Sequence, residues 1–583
     1  CPARPLCGIM PLMKNHSTRQ ARFLPAALRW TVLPHAPNGF LAPLMCVLAT
    51  AVAAQTPLPR KLIVTGWDNP DPAQFRRDCG AMEQWPFDGA VIHVQGVNAG
   101  GKPFEARAAF GTNHWEPLCF THALADLQAA RSDKLTDNFL LIGANPGNVD
   151  WFDDTGWAEI VEHWRLLARL ARDGGMKGLL FDPEPYTEPF KQFCYSSQPA
   201  REAHSFEDYG RQARQRGREV MRAVVAEYPD VTILAYFLWS ITWPAAAAGP
   251  QALAGHGYGL LPDFANGWLD VLPPGVTLVD GNEQAYRYNS EGAFQAAFVR
   301  IKHASLAVVP GENRAKYRAQ VQAGHGIYLD AHVNPSTSPW YIDGRGGPRV
   351  HRLEANVASA LDAADEYVWI YGEKARWWPP RQPGAKASST WPEVLPGADL
   401  ALWSAKNPLE AARRKLADLR ARGPLPNRLE NGDFTVARGQ QPESWERWQH
   451  ETESSGQFNR DPEVGASGAG SGRLTGMQHG CFLQSVPAEP GQRFLLSAKV
   501  RRVGSGSPWI TVRWQTRDGK WTEESRDVKF YAPAGAEASA WQEIVGRVTV
   551  PEGAGRLAVL AGVNGQRNPH DQVWFDDLVL VED

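Results

Sequence analysis

The sequence predicts an α/β protein, a (β/α)8 (TIM) barrel followed by an all-β sandwich, on three observations. Short apolar runs alternate with amphipathic helical stretches through the first two thirds of the chain. Helical periodicity then vanishes beyond Pro426, and 583 residues suffice for two or three domains. Eight runs read as strands, at 61–67, 89–94, 138–143, 178–182, 231–237, 276–280, 326–330 and 366–371. They are short, apolar and β-rich, and each ends in polar or aromatic residues. Between them, 157–173 sets Ile160, Trp164, Leu167 and Ala171 on one helical face, and 206–228 and 353–365 behave alike. The competing arrangement, an open doubly wound sheet, would carry a glycine-rich phosphate loop after its first strand, and none follows Trp67.

The segment 407–422 reads as a helix that closes or buttresses the barrel, and Pro424 and Pro426 mark a linker. From 427 onward, alternating runs at 493–500, 509–514, 547–550 and 557–560 are separated by glycine-rich turns, the pattern of a β-sandwich. The expected division is therefore 1–54 upstream residues and signal peptide, 55–425 barrel with closing helices, and 426–583 sandwich. The leader reading starts at Met13. Lys14, Arg19, Arg22 and Arg29 give a basic region, 39–52 an apolar one, and Ala51-Val52-Ala53 an A-x-A cleavage site, with an uncleaved anchor as the alternative. A secreted or periplasmic, monomeric protein with no membrane attachment after cleavage is expected. Cys79, Cys119, Cys194 and Cys481 remain beyond the leader; their spacing matches no zinc pattern, and one disulfide among the first three is open.

Composition narrows the partner. Lys and Arg number 60 against 63 Asp and Glu, so the basic excess that phosphate backbones require is missing and nucleic acid is excluded as a partner. The 23 tryptophans call for either a large core or a ligand with flat apolar faces to stack on.

In a (β/α)8 enzyme the reacting groups stand at the C-terminal ends of the strands. Those positions carry acids and aromatics: Trp67 and Asp68 after the first run, His93 after the second, Asn145 after the third, Asp182, Glu184 and Tyr186 after the fourth. Trp239, Glu283, Asp330, Trp369, Glu373 and Trp377 follow around the ring. No Cys/His metal cluster and no G-x-S-x-G elbow stands there, so no catalytic cofactor or metal is expected and carboxylate chemistry remains. Glycoside hydrolysis needs one carboxylic acid to protonate the leaving oxygen and a second carboxylate as nucleophile or base. Asp182 and Glu184, at i and i+2, would point the same way from an extended strand, and Pro183 and Pro185 would hold the segment rigid. Glu184 is assigned as general acid/base. The second carboxylate is Glu283, then Asp182, then Glu373, in order of preference. Trp67, Trp239, Trp369 and Trp377 would wall a cleft in which Asp68, His93, Asn145, Tyr186 and Asp330 bind sugar hydroxyls.

Two resemblances accompany this reading. The D-x-E-x-Y of Asp182, Glu184 and Tyr186 is similar to the D-x-E signature of chitinase-like glycosidases, in which the Glu is the acid and the Asp orients an N-acetyl group; the earlier aspartates of the longer signature are missing here. The motifs Leu429-Glu430-Asn431-Gly432-Asp433-Phe434 and Val573-Trp574-Phe575-Asp576-Asp577-Leu578 resemble those of jelly-roll carbohydrate-binding modules appended to secreted polysaccharide-degrading enzymes. That resemblance implies a sugar platform, with Trp445, Trp448, Trp514, Trp521 and His479 as candidates. It also implies a structural calcium near the module's two ends, where this chain keeps Asp577 but has Thr435 after the N-G-x-F run. The expected function is a secreted glycoside hydrolase of a poly- or oligosaccharide. The alternatives are a non-catalytic carbohydrate-binding protein and a barrel carboxylate enzyme of another class, a lyase or epimerase.

Overall fold

The computed structural model describes residues 58–187, 191–345, 347–380, 389–450, 456–532 and 539–583, and the expected leader lies outside them. Nine short strands come first: β1 (Lys61–Gly66), β2 (Gly89–Ile92), β3 (Phe139–Gly143), β4 (Gly178–Asp182), β5 (Thr232–Ala235), β6 (Thr277–Asp280), β7 (Val321–Ala323), β8 (His325–Tyr328) and β9 (Tyr367–Gly372). They form one sheet in the order β8-β9-β1-β2-β3-β4-β5-β6-β7, every pairing parallel. The two edge strands, β7 and β8, are separated in the chain by Gly324 alone, so the ends of the sheet meet in a near-barrel. Where one run at 326–330 was expected, the chain pairs with β6 through 321–323 and with β9 through 325–328. Residues 329–332 have already turned into a short 3-10 helix.

Burial on both faces explains the apolar strands: β2, β3, β4 and β5 are buried at every position. The covering helices carry local start signals. Asp153 accepts the Gly156 N–H at 3.0 Å at the head of Asp154–Asp173, and Ser205 forms a capping box with Asp208 at the head of Phe206–Glu227. Both start within three residues of the predicted bounds.

Of the remaining strands, Gln95–Val97 pairs with Pro103–Glu105 and Ala437–Arg438 with Gln441–Pro442 in two short hairpins, and the other ten form two five-stranded antiparallel sheets. One runs Glu446–Gln449, His479–Pro487, Arg556–Asn564, Ser507–Gln515, Val528–Tyr531; the other runs Gln457–Asp461, Ser471–Thr475, Gln572–Glu582, Arg493–Val503, Gln542–Thr549. Phe482, Ile510, Val512, Leu557, Phe575 and Leu580 fill the space between them. The helix expected to close or buttress the barrel, observed as Pro408–Arg422, packs instead on this module. Its Ala412 and Leu416 cluster with Leu495, Val545 and Val581, and Arg420 donates to Ser497 Oγ at 3.1 Å. The disulfide left open among Cys79, Cys119 and Cys194 is not formed: these three and Cys481 are free thiols.

An ionic cluster ties the second sheet to the helix Arg349–Asp362. Glu354 meets Arg493 at 2.9 Å and also Arg547, while Asp583 meets the same two arginines at 3.0 and 2.9 Å. All four side chains are at most 16% exposed. Removing one carboxylate leaves two guanidiniums facing each other with a single counter-charge. Glu354→Ala is therefore expected to cost about 2 kcal/mol, between the values for exposed and fully buried pairs. The measurement is the urea midpoint at unchanged m; a shift no larger than that of the exposed-pair variant Glu410→Ala would show that the cluster carries no stability.

Candidate active site at the C-terminal ends of the parallel strands

Strand β4 leaves the sheet at Asp182, and the exit is a tight turn in which Asp182 Oδ1 accepts the Glu184 N–H at 3.0 Å. The turn brings the two carboxyls together, and the hydroxyl of Tyr186 reaches both, at 2.7 Å from Glu184 Oε2 and 3.3 Å from Asp182 Oδ2. Glu184 Oε1 accepts from the Tyr258 hydroxyl at 3.4 Å. Tyr186 is itself placed by its N–H, which donates to Asn145 Oδ1 at 2.9 Å. The structure thus brings Asp182, Glu184, Tyr186 and Asn145 together, and a turn rather than the expected extended strand aligns the acids.

Glu283 joins them from the end of β6. It opens the 3-10 helix Glu283–Arg287 after β6, behind Asn282 in a left-handed conformation (φ 46°), and its N–H donates to Tyr236 O at 3.1 Å. Burial raises the proton affinity of Glu283 well above the carboxylate range, and the charges of Glu184 and Asp182 raise it further. Asp182 is likewise raised, by burial and by Glu184, against the opposing pull of Arg107. Glu184 is raised by burial, while the Tyr186 and Tyr258 hydroxyls favour its anion. The three acids titrate as a set, each raised above the range of an isolated carboxyl.

Tyrosines build the wall. Tyr236 lies stacked on Trp369 with centroids 4.5 Å apart, Tyr286 stacks on Tyr328 at 5.1 Å, and Tyr371 stands edge-on to Tyr236 at 6.0 Å. Trp340 closes this side, edge-on to Tyr286 at 6.0 Å and covered by Arg287 at 4.3 Å. Asp330 and Glu373 form a neighbouring pair. The Glu373 N–H donates to Asp330 Oδ2 at 2.9 Å, burial raises both acids, and Asp330 Oδ1 has no partner among the described residues.

Other expected contacts are spent elsewhere. Trp239 is buried with its Nε1 on Asn266 at 3.2 Å, and Trp369 is buried with its Nε1 on Gly281 O at 2.8 Å. Trp377 packs edge-on against Trp85 and Phe87, and its N–H donates to Asp68 Oδ2 at 2.7 Å, which occupies Asp68 as well. His93 is buried 3.7 Å from Glu105. Trp67, 70% exposed beside Gly372, is the tryptophan of the expected set that meets solvent. Arg107, Tyr236, Tyr258 and Tyr286 belong to the site and were missed. Tyr236 sat inside a predicted strand, Tyr286 lies in the 3-10 helix that Glu283 opens, and Arg107 and Tyr258 lie on loops that no strand-end rule reaches.

The sandwich carries a separate row. Trp448, Cys481, Gly562, Trp509 and Tyr531 are register partners across all five strands of one sheet. The Trp509 indole lies over Gly562, and Trp448 and Tyr531 flank it at 44% and 61% exposure. Trp521 is also exposed and His479 lies edge-on to Trp448, whereas Trp445 and Trp514 are core residues bonded to the Asn431 and Arg526 carbonyls. At the end where the resemblance implied calcium, Asp433 and Asp577 accept from the hydroxyls of Thr435 and Ser467 at 3.0 and 2.6 Å. Asp576 accepts two backbone N–H groups, which leaves this end a poor fit to a cation. Among the described residues no group of three or more His, Cys, Asp or Glu is placed to hold a metal ion, and no helix is long and apolar enough to cross a membrane.

No family model matches the chain, and no curated protein matches its sequence. Among solved structures it is similar to a family 16 carbohydrate-binding module, at 15% identity over 27% of this chain and 100% of that one, TM-score 0.20. It is similar to the CBM22-1–GH10 modules of Clostridium thermocellum xylanase 10B, at 14% identity over 24% and 26% of the two chains, TM-score 0.19. The tailspike protein 4 enzymatic domain of bacteriophage CBA120 gives 16% identity over 27% and 21%, TM-score 0.22. Likeness of this extent has no functional weight.

Proposed function

We propose that the chain is a secreted glycoside hydrolase acting on a poly- or oligosaccharide. In this reading the parallel sheet is a (β/α)8 barrel whose seventh strand is broken at Gly324, and the C-terminal module is a jelly-roll that docks on sugar through the Trp448–Tyr531 row. The observation that supports catalysis is the convergence of Asp182 and Glu184 on one tyrosine hydroxyl, with Glu283 electrostatically coupled to both. Glu184 holds its proton above the ordinary range and donates it to the glycosidic oxygen as the C–O bond breaks. Glu283, after the coupled acids have lost a proton to solvent, acts as nucleophile or as base toward water, and the water finally adds hydroxyl to the anomeric carbon and a proton to the protein. Asp182, which burial and Glu184 push up to about 7 against the pull of Arg107, stabilises positive charge developing on the sugar once it is ionised. The tyrosines present flat faces and hydroxyls to a pyranose.

The test is release of reducing ends from a panel of neutral, N-acetylated and acidic polysaccharides. Release that disappears in Glu184→Gln supports the proposal. Binding without release by the wild type, or full release by Glu184→Gln, overturns it.

A further inference from the structure

Arg107 stands beside the acids of the mouth, and among the described residues its hydrogen-bonding capacity is unspent. Arg107 lies between the hairpin after β2 and the exit of β3, in a backbone that leaves it little freedom. The Ala106 N–H donates to Val94 O at 3.0 Å, the Ala108 N–H to Glu105 O at 2.9 Å, and Ala108 bridges to Ala144. Gly143 makes room for it: a side chain there would come within 2.8 Å of Arg107 Cγ. The guanidinium lies over the ring of Tyr186 at 4.6 Å, a stacking that fixes its plane. Its closest carboxylate, Asp182 Oδ2, is 3.9 Å from Nε, beyond hydrogen-bond distance. Among the described residues no hydrogen bond ends on any of its nitrogens, Nε is buried without a partner, and the side chain is 36% exposed at the mouth.

A preoriented planar fork with unspent donors fits a planar oxyanion, because two parallel N–H···O bonds match the geometry of a carboxylate. A neutral pyranose offers single hydroxyls, which a lysine or an amide would serve as well. We propose that Arg107 binds the carboxylate of a uronic acid, so that the substrate of this site is an acidic glycan. The inference rests on the hydrolase reading above. The acids around Arg107 do not forbid an anionic guest, since burial keeps protons on that group and lowers the negative charge of the mouth.

The experiment compares a uronic-acid oligosaccharide with its carboxyl-reduced counterpart, which has the same linkages and no charge. The wild type is expected to prefer the acidic substrate in kcat/KM by roughly 10- to 100-fold, the range for hydrogen bonds to a charged group. Arg107→Ala is expected to bring that ratio near unity whatever it does to the absolute rate, and Arg107→Lys to fall between, having the charge without the fork. A ratio near unity in the wild type, or one unaltered in Arg107→Ala, overturns the proposal while leaving hydrolysis intact. Calorimetric binding of both oligosaccharides to Glu184→Gln separates the two readings. Selective binding of the acidic one with no release by the wild type sustains the role of Arg107 and overturns the hydrolase. Absence of binding to either overturns both.

Discussion

Glu184→Gln is expected to lower kcat for glycoside release by about 10²- to 10⁴-fold, the range for loss of a positioned general acid. The amide retains the volume and can still accept from the Tyr186 hydroxyl, which bonds Glu184 Oε2 at 2.7 Å, so what is lost is the proton. The wild-type pH profile should fall at high pH with a midpoint above the ordinary glutamate range, because burial raises Glu184 and its neighbours together. Folding stability should move in the same window. An acid whose pKa is raised in the native state binds more protons there than in the unfolded chain, so stability falls as pH rises from near 4 through the native-state titration. Removing one carboxylate relieves that cost. Glu184→Gln should therefore melt higher than the wild type at pH 7, with the difference closing near pH 4. An inactive variant that is also less stable at pH 7 would point to misfolding and sink the assignment.

The strands were legible because burial on both faces writes an apolar run, and the residues just beyond each run led to Asp182, Glu184 and Glu283. What the sequence concealed is how tryptophan and tyrosine divide the labour. The tryptophans were expected to gather at the site, yet Trp151, Trp157, Trp164, Trp239, Trp268, Trp369 and Trp391 are among the largest fully buried side chains. Their excess reflects a large core, in which Trp164 and Trp268 meet edge-on at 5.7 Å and Trp151 stacks on Trp157 at 4.7 Å. The site uses tyrosine because its acids need hydroxyl donors, a requirement that composition does not register. Tyr258 reaches Glu184 from 74 residues away, and Arg107 reaches Asp182 across a loop after β2. Both placements depend on loop geometry rather than on hydrophobic periodicity. Strand seven was read in half for a related reason: the run 326–330 overlaps β8, but the pairing changes partner at Gly324 and the half at β7 was missed, since a run of apolar residues does not disclose which neighbour each half takes.

Trp369→Ala is expected to destabilise the protein by about 3–5 kcal/mol, as truncation of a buried tryptophan does. Trp369 was expected to wall the cleft, but it lies beneath it, in a slot that two glycines create. A side chain at Gly281 would fall 2.8 Å from Trp369 Nε1, and one at Gly326 would fall 2.5 Å from the indole ring. Glycine has no side chain to fold into the gap, so the cavity left by alanine would stay open on those two sides. The Gly281 carbonyl, which accepts from the indole at 2.8 Å, would also lose its partner. Gly281 is two residues from Glu283, and Tyr236 stacks on the indole, so the loss reaches the acid cluster through its floor. A ligand-stacking residue would show a raised KM at unchanged stability. A floor residue shows a lowered denaturation midpoint and a reduced kcat, with Trp369→Phe recovering most of the midpoint because the stacked face under Tyr236 is retained. Unchanged stability in Trp369→Ala, measured by denaturant titration, would return the indole to the substrate wall.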